Sequence, residues 1–258
     1  MRFELHPPCE RLKPFVRHLV ISETDAAAVY PVLPDTGVVM GFQYSGRLGY
    51  RQRDEQYSLA TAGITGLLDS YRLFNNSADT GTILVVFREM GMAAFIRQPV
   101  HELFGQSVAL EHLFTRQEIA DAEERLAGAV GDRERLDIVE RFLLDRLVTP
   151  AFDPLVAGAV QQIRQLRGYI RIAELVKTLH TSASPLEKRF RRTVGASPKK
   201  YAGIVRVRAM ITALQEGREQ LKTMEYLGAY YDQAHFIHDF KRFTAMTPEE
   251  YVRNQKSR

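Results

Sequence analysis

The spacing of apolar side chains changes character along the chain. Up to about residue 87 they come in short runs broken by turn signals. Pro14 to Ser22 is one such run, ending L-V-I-S. Val38 to Tyr44 follows the turn signal Pro34-Asp35-Thr36-Gly37 and predicts a strand, and Ser45 to Tyr50 predicts the turn of a hairpin. Gly63–Gly66 and Tyr71–Phe74 add short apolar stretches, and Thr82 to Phe87 is β-branched and apolar throughout, as a strand buried on both faces should be. Strands of this length and spacing predict a barrel or sandwich. The period then becomes helical. A short helix is expected at Met90–Arg97. A longer one, Gln117–Val130, places Ile119, Ala122, Leu126 and Val130 on one face. Asp132 is expected to cap a third, with Leu136, Val139, Leu143 and Leu147 as a stripe widened by Ile138 and Phe142. That stripe packs on the chain's own sheet or makes a dimer contact. Val148–Phe152 reads as a linker. Asp153-Pro154 opens the next helix, with Asp at the N-cap and Pro at the first position, and from there the pattern is all helical, with stops at Gly168, Gly195 and Gly217.

The last hundred residues repeat themselves at an offset of 50. Ser182 to Tyr201 aligns with Asp232 to Tyr251: Ser182 with Asp232, Leu186 with Phe236, Phe190 with Phe240, Pro198 with Pro248 and Tyr201 with Tyr251. One supersecondary unit is built twice, each a capped helix, a turn, and a helix opened by Ser-Pro or Thr-Pro. In the first unit Ile172–Leu179 is the supporting helix, buried through Ile172, Leu175, Val176 and Leu179. Ser182 is expected to cap the second helix, whose Leu186 and Phe190 face inward. The opposite face then presents Ser184, Glu187, Lys188 and Arg191. Lys188 suits guanine O6/N7, Glu187 suits cytosine N4, and Arg191 and Arg192 suit phosphates. In the second unit Asp232 caps, Phe236 and Phe240 pack inward, Ala234, His235 and His238 point toward DNA, and Lys241 points toward its backbone. Between the units, Ser197-Pro198 starts a helix to about Glu216, with Arg206 and Arg208 expected near the backbone-facing side of the first unit.

Charge supports a polyanion-binding role. The net charge of +4 divides into −5 over residues 1–150 and +9 over 151–258. The single cysteine, Cys9, permits no internal disulfide and no cysteine-rich zinc motif. No stretch approaches the ~20 apolar residues that span a bilayer, and the N-terminus has no signal-peptide core. A cytoplasmic protein without membrane association is expected.

At these residues the chain resembles a known family. The segment 154–254 is similar to the DNA-binding domain of AraC/XylS transcription regulators, most specifically through Tyr230-Tyr231-Asp232-Gln233-Ala234-His235-Phe236, F-K-R-F and M-T-P-E-E-Y. The resemblance implies a seven-helix domain with two recognition helices, promoter binding, RNA polymerase as a partner, and an activator. Three positions depart from the family pattern: Ala229 and Ala245 stand where glycine is usual, and Glu225 where a small apolar residue is usual. A left-handed backbone at either alanine would cost ~1–2 kcal/mol. Residues 1–150 resemble, more loosely, an N-terminal domain of some family members through V-L-P-D-T-G-V-V-M-G-F, F-R-E-M-G-M-A-A-F-I and the H-E-L-F-G-Q-S-V-A-L-E-H-L-F stretch.

The expected fold class is therefore α+β: a mixed β-barrel or sandwich with helices over 1–150, for sensing or dimerisation, and an all-α double helix-turn-helix domain over 151–258. The function expected is sequence-specific regulation of transcription from double-stranded promoter DNA, with two helices in successive major grooves. The alternative is a small-molecule sensor whose DNA-binding part is degenerate and which acts through protein contacts. Tyr44, Tyr50, Tyr71 and Arg88 are candidates for a small-effector pocket, and a homodimer is a further expectation. Catalysis is not expected, nor is any cofactor or metal. His101-Glu102-Leu103-Phe104-Gly105 lacks the second ligand of H-E-x-x-H, and His6, His18, His101 and His112 show no close metal spacing. DNA-repair methyltransferases carry a similar helical domain but need a reactive Cys in a specific motif, and Cys9 sits in none.

Overall fold

The computed structural model describes residues 1–52, 55–148, 153–215 and 233–256. The fold class is α+β. Among the described residues ten antiparallel strands form two sheets. One has six strands in the order β1 (Arg2–His6), β2 (Val16–Thr24), β9 (Thr80–Phe87), β4 (Val39–Ser45), β7 (Ala62–Thr65) and β10 (Ser107–Ala109). The other has four, in the order β3 (Ala28–Val32), β8 (Arg72–Asn76), β5 (Leu48–Gln52) and β6 (Glu55–Ser58). The β-branched run read as doubly buried is β9, flanked by β2 and β4, with Ile83, Val85 and Phe87 fully buried.

The hairpin expected at Ser45–Tyr50 is not formed. β4 pairs with β7 and β9, whereas β5 pairs with β6 and β8, so this turn carries the chain from one sheet to the other. Two features force the transfer. Gly46 has φ +65° and lies so close to Thr80 that a Cβ would meet its Oγ1 at 2.3 Å. The buried Gln43 side chain accepts from the Leu48 N–H at 2.7 Å, taking a donor a hairpin ladder would use, and donates to the Ala60 carbonyl at 2.7 Å.

Helices α1 (Arg116–Gly128) and α2 (Asp132–Leu144) cover one face of the six-stranded sheet. Thr115 and Glu118 close a capping box on α1. The stripe of α2 packs inward as the own-sheet alternative required: Leu136, Ile138, Val139, Phe142 and Leu143 are buried, and Phe142 meets Phe42 edge-on at 5.3 Å. Asp132 does not cap α2. Gly131, at φ +89°, holds the N-cap, while Asp132 takes the guanidinium of Arg2. The helix expected at Met90–Arg97 is a single 3-10 turn, Gly91–Ala94.

Beyond residue 153 the described chain is helical: α3 (Pro154–Gln165), α4 (Ile172–Thr178), α5 (Ala183–Val194), α6 (Pro198–Gln215), α7 (Gln233–Thr244) and α8 (Pro248–Lys256). Most of the linker expected at 148–152, and the residues 216–232 between α6 and α7, lie outside the described residues. Buried side chains occur all round α6 because it belongs to two cores. Tyr201, Ala202 and Val205 join the core of α3–α5, while Ile204, Val207, Met210 and Ile211 join that of α7 and α8.

Candidate nucleic-acid interface

In the first unit α5 is anchored by Leu186, Phe190 and Val194, all at most 1% exposed, with Phe190 edge-on to Tyr201 at 5.5 Å. Those anchors fix which face turns outward. Ser184, Glu187, Lys188, Arg191 and Arg192 are all exposed, as expected. Glu187 and Arg191 pair along the helix at 3.8 Å. Lys188 and Arg192 make no ion pair among the described residues. The remaining arginine, Arg189, is committed elsewhere: its guanidinium grips Asp153 with bonds of 2.8 and 2.6 Å. Asp153 also caps α3 by accepting from the Val156 N–H. Burial pushes the Asp153 carboxyl up, but the Arg189 bonds and backbone donors outweigh it and hold the group below its ordinary range. Ser182 stands at the N-cap of α5 without a side-chain cap bond, so the start of α5 keeps backbone donors unmatched by its cap.

The second unit repeats this where it is described. Phe240 and Phe243 are buried, and Phe240 meets Tyr251 edge-on at 5.8 Å, as Phe190 meets Tyr201. His238 and Lys241 are exposed. Ala234 and His235 lie in the first turn of α7, with their side chains, and that of Phe236, outside the described residues; so do Asp232, Glu225 and Ala229. The two units also end alike. Gly195 after α5 has φ +99°, and its 50-residue equivalent Ala245 has φ +67°. The N–H of each returns to a carbonyl four residues back, Arg191 at 3.1 Å and Lys241 at 2.9 Å. The departure at Ala245 therefore falls on a left-handed backbone.

Arg206 and Arg208, expected near the backbone-facing side of the first unit, both make contacts within the chain. Arg208 pairs with Asp35 at 3.4 Å and donates to the Pro34 carbonyl, and Arg206 lies 6.0 Å over the Tyr169 ring. The Arg208 contact belongs to an interface that the sequence did not announce. Arg164 pairs with Glu89 at 3.0 Å and Lys200 with Asp69 at 3.1 Å, so three bases of the C-terminal part each take an acid of the N-terminal part. Arg17 bridges Asp35 and Glu89 from below. Burial pushes the Asp35 carboxyl up, but Arg208 and Arg17 hold it below its ordinary range. Leu67 enters the α3–α6 core, with Met90 and Phe104 packed against it. Part of the +9 excess is thus spent inside the molecule. Only a three-dimensional pairing of distant loops could reveal this.

The matching family models follow this division. Residues 175–254 match a helix-turn-helix domain, and residues 4–109 match a domain of unknown function (DUF6597). The C-terminal part is an AraC-type helix-turn-helix domain. The chain is thereby a DNA-binding transcription regulator. Among solved structures it is similar to an apo variant of ToxT from Vibrio cholerae strain SCE256, with 13% identity over 91% of this chain and 96% of that one, at a TM-score of 0.47. The unsaturated fatty acid-bound wild-type ToxT from that strain aligns at 11% identity over 91% and 94%, with a TM-score of 0.47. The AraC-like transcriptional activator CuxR aligns at 14% identity over 77% and 78%, with a TM-score of 0.27. No curated protein matches the sequence.

The four residues considered for an effector pocket are dispersed. Tyr44 lines an open cleft of about 480 Å³ with Gln43, Arg47, Glu123 and Glu124; its hydroxyl donates to Glu23 at 2.6 Å and its ring lies 4.0 Å beneath the Arg135 guanidinium. Tyr50 stacks on Tyr57 in the other sheet, under Arg72. The Tyr71 N–H donates to the Arg242 carbonyl at the helix-turn-helix domain, and Arg88 is exposed and donates to the Lys13 carbonyl. No described helix is long and apolar enough to cross a membrane.

Proposed function

We propose that α5 and α7 read two stretches of DNA major groove and that α6 fixes their separation. Ser184, Glu187 and Lys188, with Ala234, His235 and His238, meet base edges, while Arg191, Arg192 and Lys241 hold phosphates. The observation that carries this is the outward face of α5. Five polar or charged side chains stand exposed on a helix pinned from behind by Leu186 and Phe190. Near a helix N-terminus such side chains suit base edges and the terminus itself suits phosphate. The same anchoring by Phe240 in α7 supports a second reader. We take residues 1–150 as a domain that holds and regulates the reader, through dimerisation and a small effector, and residues 151–258 as the reader. Activation by contact with RNA polymerase follows from the family resemblance.

Selection of bound sites from random DNA by the full-length chain tests the reading. Two enriched blocks about one helical turn apart, bound with an affinity that falls steeply in salt, are expected. A single block would remove α7 as a reader. No enrichment, with and without candidate effectors, would overturn the assignment of both helices. Thermal shift against candidate metabolites tests the effector separately.

A further inference from the structure

β1 is the outermost strand of the six-stranded sheet, and its outer edge pairs with no other strand among the described residues. Its two faces differ. Arg2, Glu4 and His6 stand opposite Glu23, Ile21 and Leu19, on the side covered by α2, where Arg2 bonds Glu4, Glu23 and Asp132. Met1, Phe3 and Leu5 alternate with them and stay in solvent, exposed to 85%, 57% and 60%. Their sheet neighbours on that side, Val20 and Ser22, are covered or partly covered, so the apolar exposure is confined to the edge strand. A bare edge with an apolar stripe is a template for another strand.

The sequence of the edge says which strand. M-R-F-E-L is complementary to its own reverse about Phe3. In an antiparallel pair the residue numbers of partners sum to six. Phe3 then faces Phe3 of a second copy, Met1 faces Leu5, and Arg2 faces Glu4. One face of the new pair gathers six apolar side chains, while the other sets opposite charges across from each other on both sides of the axis. The self-complementarity is what an isologous interface requires.

We propose that a second copy of this chain docks on β1, joining the two six-stranded sheets edge to edge about a twofold axis at Phe3. This deepens the dimerisation role given to the N-terminal domain, and its test does not depend on DNA reading. The full-length protein is examined by sedimentation at micromolar concentration. A dimer is expected, and Phe3→Glu should raise its dissociation constant at least about tenfold, because each copy loses a buried Phe and gains a charge. Phe3 is exposed in the single chain, so the variant should keep its circular dichroism and thermal transition. The register is tested by oxidation in a Cys9→Ser background. Phe3→Cys places two sulfurs on directly opposed residues, at a Cα spacing that a disulfide spans, and should give a covalent dimer. Leu5→Cys should not, since its two copies lie about 13 Å apart along the strands. A monomeric wild type overturns the proposal. A dimer that survives Phe3→Glu overturns it equally, and a Leu5→Cys crosslink without a Phe3→Cys crosslink overturns the axis. None of these outcomes bears on operator selection, so failure here is distinguishable from failure of the DNA-binding assignment.

Discussion

The paired helix ends at Gly195 and Ala245 invite a reciprocal exchange. Both residues are left-handed, with φ +99° and +67°, and each returns its N–H to the helix it terminates. An L side chain in this conformation costs ~1–2 kcal/mol. Glycine recovers that but gives back ~0.4–1 kcal/mol through the freedom it adds to the unfolded chain. Ala245→Gly should therefore stabilise the protein by about 0.5–1 kcal/mol, raising Tm by ~1–4 °C for a chain of this size. Gly195→Ala should do the reverse and somewhat more. A Cβ there would sit 3.0 Å from Val100 Cγ1, a contact the methyl can relieve by shifting, so the backbone strain dominates. The ~1–2 kcal/mol of strain, less the ~0.4–1 kcal/mol that alanine regains through the unfolded chain, leaves a destabilisation of about 0.5–1 kcal/mol, to which the shift of the Val100 methyl adds. Urea unfolding, followed by circular dichroism, measures both variants against the parent. A neutral or destabilising Ala245→Gly would refute the reasoning, because it would mean that the strain at the alanine does not exceed the freedom glycine adds to the unfolded chain.

Lys188→Ala should weaken operator binding by ~1–3 kcal/mol and relax sequence choice at one position, whereas Arg192→Ala should weaken all sequences alike and lower the salt slope by about 1, both read by titration on matched and scrambled sites. If Lys188→Ala left affinity and choice unchanged, the outward face of α5 would not be the reading face. Asp35 is held below its ordinary range by Arg208 and Arg17, so its contribution is present above about pH 4 and is lost as pH falls through its lowered folded value. Asp35→Asn should thus flatten the acid limb of the stability profile and cost about 1–2 kcal/mol at neutral pH; an unchanged acid limb in a pH series of urea melts would dissociate this pair from stability. Arg189→Ala should cost ~0.5–1 kcal/mol through the lost Asp153 clasp while leaving operator affinity intact, and a large loss of affinity would place Arg189 at the DNA instead.

The elements legible in the sequence are those with a local cause. β9 showed as a β-branched run, the inward stripe of α2 as a helical period, and the α3 cap as Asp153-Pro154. The family resemblance marked Ala245 as a position where glycine is usual, and the structure places it, like Gly195 fifty residues earlier, on a left-handed backbone. What stayed hidden depends on distant partners. The turn at Gly46 looks like a hairpin until Thr80 and Gln43 are placed beside it. Asp132 has the composition of a cap, yet Arg2, 130 positions away, takes its carboxylate. The pairing of Arg208 is hidden in the same way, because a basic helix in a basic domain gives no hint that Asp35 lies across from it.

One helix serving two cores makes the placement of one core relative to the other a quantised property. Adding a residue to α6 would turn everything beyond it by about 100° and advance it by about 1.5 Å. Moving an operator block by one base pair turns it by about 35° and advances it by about 3.4 Å. The two ladders share no small common step. On the proposed reading, base choice can therefore drift side chain by side chain on α5 and α7, while the gap between the blocks follows the length of α6 and has no gradual path to change.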